Sequence, residues 1–119
     1  MSATIKVFTF NLRVIAEVDG INIFHNRTGR ISDTIKSYEP DLIGFQEVST
    51  VMKKWLSDDL APLGYTVVGC GRGKDYRGEA TCIAFKRDLF ELIALETRWL
   101  SWPVLFLWQM RQIQSGSIL

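Results

Sequence analysis

The run Asp41-Leu42-Ile43-Gly44-Phe45-Gln46-Glu47-Val48 constrains this chain more than any other stretch. It is short and apolar, and the turn-forming pair Glu39-Pro40 precedes it. Such a run reads as a buried strand. It closes on Gln46-Glu47, so the strand leaves the core where a carboxylate can face solvent, a metal or a substrate. Upstream, Thr4 to Leu12 (TIKVFTFNL) is rich in β-branched and aromatic residues and apolar on both faces. That composition predicts a second strand, central in its sheet. Between the two, Ile31, Ile35 and Tyr38 recur at helical spacing. They predict an amphipathic helix from about Thr28 to Tyr38, capped by Thr28 or Asn26 and stopped by Pro40.

Strand, helix, strand in this order is a βαβ unit, whose strands run parallel with a right-handed crossover. If the strands are neighbours, Asn11 and Glu47 emerge together at the carboxyl edge of the sheet, where α/β proteins bind ligands. The polar stretch from Arg13 to Arg27 joins strand to helix, with Asp19-Gly20 as a turn.

Downstream, the pattern predicts a second helix from Thr50 to Leu60, capped by Ser49 or Thr50. Its buried face is Val51, Met52, Trp55, Leu56 and Leu60, and Leu63-Gly64 ends it. Tyr65 to Val68 reads as a third strand. A glycine-rich, basic loop follows from Gly69 to Gly78, and then Ala80 to Lys86 and Leu89 to Glu96 read as a hairpin across Arg87-Asp88. Arg72, Lys74 and Arg77 give the loop some attraction for phosphate. It is not a P-loop, because no Gly-Lys-Ser/Thr opens a helix after it. Its plain reading is a flexible, solvated hairpin loop.

At 119 residues the chain is one domain or part of one. Fourteen basic against thirteen acidic residues leave a net charge of +1, which makes no case for nucleic acid or anionic membrane as a partner. Cys70 and Cys82 fit no metal spacing and read as free thiols. The N-terminus shows no secretory pattern, so a cytoplasmic location is expected. Trp102 to Met110 is densely apolar but shorter than the roughly 20 residues a membrane helix needs. It lacks a clear period and could pack as a terminal helix.

Phe8-Thr9-Phe10-Asn11-Leu12, followed by Pro40 to Val48, resembles the first two motifs of the endonuclease/exonuclease/phosphatase superfamily. His25-Asn26-Arg27 sits where that family often has an Asn-Arg pair. Gly69 to Lys86 (GCGRGKDYRGEATCIAFK) resembles its glycine-rich loop and following strand. Leu89-Phe90-Glu91-Leu92 and Trp99-Leu100-Ser101 resemble its next hairpin. The resemblance implies a metal-dependent phosphoesterase in which Glu47 binds catalytic Mg²⁺ or Mn²⁺ and Asn11 supports metal and phosphate. Mg²⁺ takes oxygen ligands and keeps several waters, so one or two carboxylates anchor it. Asn11 is both donor and acceptor. Glu79 resembles a glutamate near the family's active-site rim, and with Arg77 it is a candidate substrate contact. His25 does not match the family's catalytic histidine and reads as a helix-entry residue.

The family's later Asp-x-Asn and Ser-Asp-His motifs do not occur in this sequence. The resemblance as read here ends near Ser101. The expectation is therefore a partial domain over 1–101 and a divergent apolar tail over 102–119, from truncation, frameshift or mis-splicing. The fold class is α/β: the N-terminal half of a four-layer α/β sandwich, a mixed sheet with helices on one face. Its other face would be open to self-association or to Val104 to Met110. Two functions follow. One is a phosphoesterase acting on an unspecified phosphate ester, inactive or impaired in this chain. The other is a non-catalytic remnant or interaction module of the same fold.

Overall fold

A computed structural model describes residues 3–98, 107–114 and 117–118. Four strands form one sheet: β1 (Val7–Asn11), β2 (Leu42–Val48), β3 (Tyr65–Val68) and β4 (Ala80–Lys86), in the spatial order β1-β2-β4-β3. β1 and β2 are parallel, with Asn11 opposite Gln46, and helix α1 (Phe24–Tyr38) joins them. β4 runs antiparallel to both β2 and β3, so the sheet is mixed. Helix α2 (Thr50–Leu60) links β2 to β3.

One face of the sheet carries the core. Ile43, Phe45 and Val48 of β2, Cys82 and Ala84 of β4 and Tyr65 of β3 are buried against Ile31 and Ile35 of α1 and Met52, Leu56 and Leu60 of α2. Phe24 of α1 meets Trp55 of α2 edge-on at 5.3 Å, which closes the two helices over the sheet. Ser49 caps α2, its hydroxyl accepting from the Met52 N–H at 3.4 Å. Gly64, at φ 94°, turns the chain into β3.

Several expectations need correction. β1 is an edge strand among the described strands, and Val7 is 64% exposed. Only its alternate residues, Phe8 and Phe10, pack on the core. α1 begins at Phe24, not Thr28, and neither Thr28 nor Asn26 caps it. Phe24 is buried, so tertiary packing carries the helix one turn further than its polar sequence indicates. Val51 is exposed, since it faces away from the stripe of Met52, Leu56 and Leu60. Ala80–Lys86 and β5 (Phe90–Glu96) do not form a hairpin. β5 instead pairs with β6 (Leu107–Gln114) in a second sheet that also holds β7 (Ser117–Ile118). Leu107 to Met110, a stretch without a clear period for which a terminal helix was one option, is therefore part of a strand. Trp99 to Phe106 lie outside the described residues. No helix among the described residues is long and apolar enough to cross a membrane.

Candidate active site

β2 ends irregularly. Phe45 pairs with Cys82 and Val48 with Ala80, so β2 spends three steps where β4 spends two. This is a β-bulge at Gln46-Glu47, and Glu47 sits at φ 59°, a conformation unusual for a residue with a side chain. The bulge lets Val48 return to the core while the Glu47 carboxylate turns toward the end of β1.

There it meets Asn11. The Asn11 amide donates from Nδ2 to Glu47 Oε1 at 3.2 Å, and the Val14 backbone N–H donates to Oε2 at 3.1 Å. Asn11 Oδ1 accepts from the Arg13 backbone N–H at 2.9 Å. That last bond fixes the amide's orientation. A backbone N–H must face the oxygen, so the NH₂ group must face the carboxylate. The Val14 N–H, then the Asn11 amide, hold Glu47 below its ordinary carboxyl value, against a smaller opposing effect of burial. Glu47 is therefore ionised at neutral pH. Among the described residues no lysine or arginine forms a salt bridge with it. Arg13 lies near enough to contribute charge but directs its guanidinium to Asp19, Nε to Oδ2 at 3.0 Å.

Arg27 braces this corner. From α1 it donates to the carbonyls of Leu12 at 2.9 Å and Asn22 at 2.6 Å. Asn26 donates to the Ile21 carbonyl at 3.1 Å. These bonds tie the 3-10 helix Glu17–Asn22 and the end of β1 to α1. The Asn-Arg pair, expected just before the helix, lies inside its first turns. His25 is in the first turn as well, against Phe24 at 5.9 Å.

The glycine-rich loop is built, not loose. Gly71 N–H donates to the Tyr76 carbonyl at 2.9 Å, Gly73 N–H to Arg77 at 2.7 Å and Arg72 N–H to Glu79 at 3.0 Å. A side chain at Gly71 would collide with the Arg77 carbonyl, so only glycine permits this fold-back. Glu79 pairs with Arg72 at 3.6 Å, and Arg77 is exposed at the loop's end. Neither touches Glu47 or Asn11 in the bonds and ion pairs of this corner. Both cysteines are free; burial pushes the Cys82 thiol up to about 11.

The donor set suits a hard divalent cation in one respect. Each Glu47 oxygen accepts a single hydrogen bond, leaving one lone pair apiece for an ion. Among the described residues no group of three or more His, Cys, Asp or Glu side chains gathers to hold a metal.

The profile of the Endonuclease/Exonuclease/phosphatase family matches residues 8–116. The chain belongs to that family. A family member of known structure from Bacteroides vulgatus is 31% identical with a TM-score of 0.72, over 78% of this chain and 36% of its own. A mannosyl-6-phosphatase from Bacteroides thetaiotaomicron is 25% identical with a TM-score of 0.76, over 85% of this chain and 38% of its own. ANGEL2, a 2′,3′-cyclic phosphatase, shares the fold at 18% identity and a TM-score of 0.68, over 79% of this chain and 30% of its own. This chain of the family spans between about 30% and 38% of the length of these structures. No curated protein sequence matches it.

Proposed function

We infer that the corner of Asn11 and Glu47 is the metal-anchoring part of a phosphoesterase site. One observation carries this reading. A carboxylate is held ionised chiefly by neutral N–H donors, at a half-buried bulge, and forms no salt bridge among the described residues. Glu47 would hold Mg²⁺ or Mn²⁺, and Asn11 would hold Glu47. When bound, such an ion polarises a phosphoryl oxygen and stabilises the leaving oxygen. Asn11 keeps the carboxylate aimed and, by its fixed amide, turns a donor toward the same space. Arg77 lies on the loop that leads into β4, where its charge favours an anionic ester, and Glu79, paired with Arg72, is the second candidate contact on that loop. Family membership supports hydrolysis of a phosphate ester, and the names of the neighbours, a sugar phosphatase and a cyclic phosphatase, favour that class over other chemistry.

In this reading residues 1–101 carry the partial domain and 102–119 a tail of divergent sequence. The competing reading, a non-catalytic module of the same fold, draws on the lack, among the described residues, of any group of three or more His, Cys, Asp or Glu side chains that could hold a metal. Magnesium-dependent cleavage of bis-p-nitrophenyl phosphate separates the two. The phosphoesterase reading expects turnover that Glu47→Gln abolishes. Turnover equal in wild type and variant, or none in either, overturns it for this chain.

A further inference from the structure

Arg13 is the second residue after β1 and takes a positive φ of 57°. Residues with side chains seldom adopt that conformation. In extended backbone successive N–H groups point to opposite sides; a residue at positive φ brings its own N–H and the next one round to the same side. Here both reach the site. The Arg13 N–H donates to Asn11 Oδ1 at 2.9 Å, and the Val14 N–H donates to Glu47 Oε2 at 3.1 Å. The bond from Asn11 Nδ2 to Glu47 Oε1, at 3.2 Å, closes a ring of hydrogen bonds through both candidate site residues. With Arg13 in an ordinary conformation the two N–H groups would no longer converge on that corner.

Contacts outside the ring hold Arg13 in place. Its guanidinium grips Asp19 with two nitrogens, Nε to Oδ2 at 3.0 Å and Nη2 to Oδ1 at 3.2 Å. Its carbonyl accepts from Arg27 Nη2 at 3.4 Å. The far end of the grip is fixed as well. Asp19 lies in the 3-10 helix Glu17–Asn22, its N–H donates to the Ala16 carbonyl at 3.0 Å, and Arg27 holds the Asn22 carbonyl. The side chain of Arg13 is 50% exposed and that of Asp19 19%, and a pair this open to water adds little stability. Its value is geometric. A planar fork on a carboxylate fixes an orientation that a point charge would not. A guanidinium committed to Asp19 is also not aimed at a substrate phosphate.

We propose that Arg13 is a positioning residue of the site: latched to Asp19, its positive-φ backbone aims Asn11 and Glu47, and the site needs that conformation, not the positive charge. The proposal rests on the phosphoesterase reading for the purpose of the aim, not for its geometry. Unfavourable backbone conformations persist where the surrounding contacts enforce them, as Asp19 and Arg27 do here. Glycine separates conformation from charge. It takes positive φ at no steric cost, whereas alanine does not. Arg13→Gly removes the charge and the latch but leaves the conformation open. Arg13→Ala removes all three.

The test compares Arg13→Gly, Arg13→Ala and Asp19→Asn with wild type in the full chain, by two measurements. One is NMR hydrogen exchange at the Arg13 (or residue 13) and Val14 amides without metal. The other is Mn²⁺ affinity from water-proton relaxation. Arg13→Ala should lose protection at both amides and about 10- to 100-fold in Mn²⁺ affinity, the range for groups that orient a metal ligand. Asp19→Asn offers one oxygen to a guanidinium that takes two, and should move both measurements the same way by less. Arg13→Gly should keep more of both than Arg13→Ala. A residue needed only for its charge or for general stability would make glycine no better than alanine. Equal losses in those two variants, or unchanged amides in Arg13→Ala or Asp19→Asn, overturn the proposal. If Arg13→Ala does not fold, Asp19→Asn against wild type decides alone. Latch-dependent amide protection in a wild type that binds no Mn²⁺ upholds the positioning role and removes the metal-anchoring reading. Mn²⁺ binding with amides indifferent to Asp19→Asn does the reverse.

Discussion

Two carboxylates flank the same strand, and their surroundings differ in one respect. Asp41 stands just before β2 and Glu47 near its end. Burial pushes Asp41 up, but the Lys6 backbone N–H at 2.8 Å and the Lys86 ammonium at 3.2 Å outweigh it and hold it below its usual value. Around it, Lys86 also donates to the Glu39 carbonyl, and the Tyr65 hydroxyl donates to Pro40 at 2.6 Å. A cavity of about 580 Å³ opens at that end, lined by Lys86, Arg87 and Asp88 among others. Its cations are already occupied: Arg87 donates to the carbonyls of Tyr65 and Ala61. At the Glu47 end the donors are neutral. The comparison teaches that an acid paired with a half-buried cation acts as a clasp whatever cavity lies beside it. The large cavity adjoins the acid that Lys86 pairs with, whereas Glu47 forms no salt bridge among the described residues and takes only a lesser contribution from the Arg13 charge.

The contrast breaks most visibly at Glu47. Glu47→Gln should lower metal-dependent ester cleavage by about two to four orders of magnitude, with little change in the urea unfolding midpoint. Next in size is Asn11→Ala. It leaves the carboxylate but frees its aim, and should cost about 10- to 100-fold in Mn²⁺ affinity or activity. An NMR titration should show the Glu47 carboxyl rising toward its ordinary value in that variant. At the other end Asp41→Asn should do the opposite: no effect on Mn²⁺ binding, and a loss of about 1–3 kcal/mol in denaturant unfolding, because Lys86 keeps a buried partner only in part.

The pH dependence sharpens the same contrast. The folded pKa of Asp41 lies below the ordinary carboxyl value of 3.8, so its contribution is complete above 3.8 and disappears as the pH falls below it. Acid unfolding in the Asp41→Asn variant should therefore be shallower than in wild type. Tyr65 works at the alkaline limit. Burial, aided by Asp41, raises its phenol from 10.0 to about 12, so its contribution is complete below 10 and lost as the pH rises toward 12. Tyr65→Phe, the smallest effect, should cost about 1 kcal/mol near neutrality and flatten the alkaline transition.

Much of this was legible in the chain. Pro40, the apolar run and the helical spacing of Ile31, Ile35 and Tyr38 were enough for the βαβ unit. The parallel register then brought Asn11 and Glu47 to one edge. Tyr65–Val68 and Ala80–Lys86 were bounded by glycines and charged residues that end strands cleanly. The failures are places where partners far along the chain decide. Nothing in TIKVFTFNL distinguishes an edge strand from a central one, because burial of Val7 depends on a neighbour it does not have among the described strands. The two residues between Lys86 and Leu89 looked like a hairpin turn, yet β5 pairs with β6 instead. The brace from Arg27 was invisible for another reason. Its targets are backbone carbonyls, which leave no trace in residue identity.

Residue 47 occupies backbone space that glycine fills most comfortably. A drift to glycine there would relax the turn and let the sheet end without tension. Selection for durability alone would thus erase the acid. An acid in an unfavourable torsion makes this position a point where endurance and chemistry pull apart, and a variant screened only for heat resistance would be expected to lose the carboxylate first.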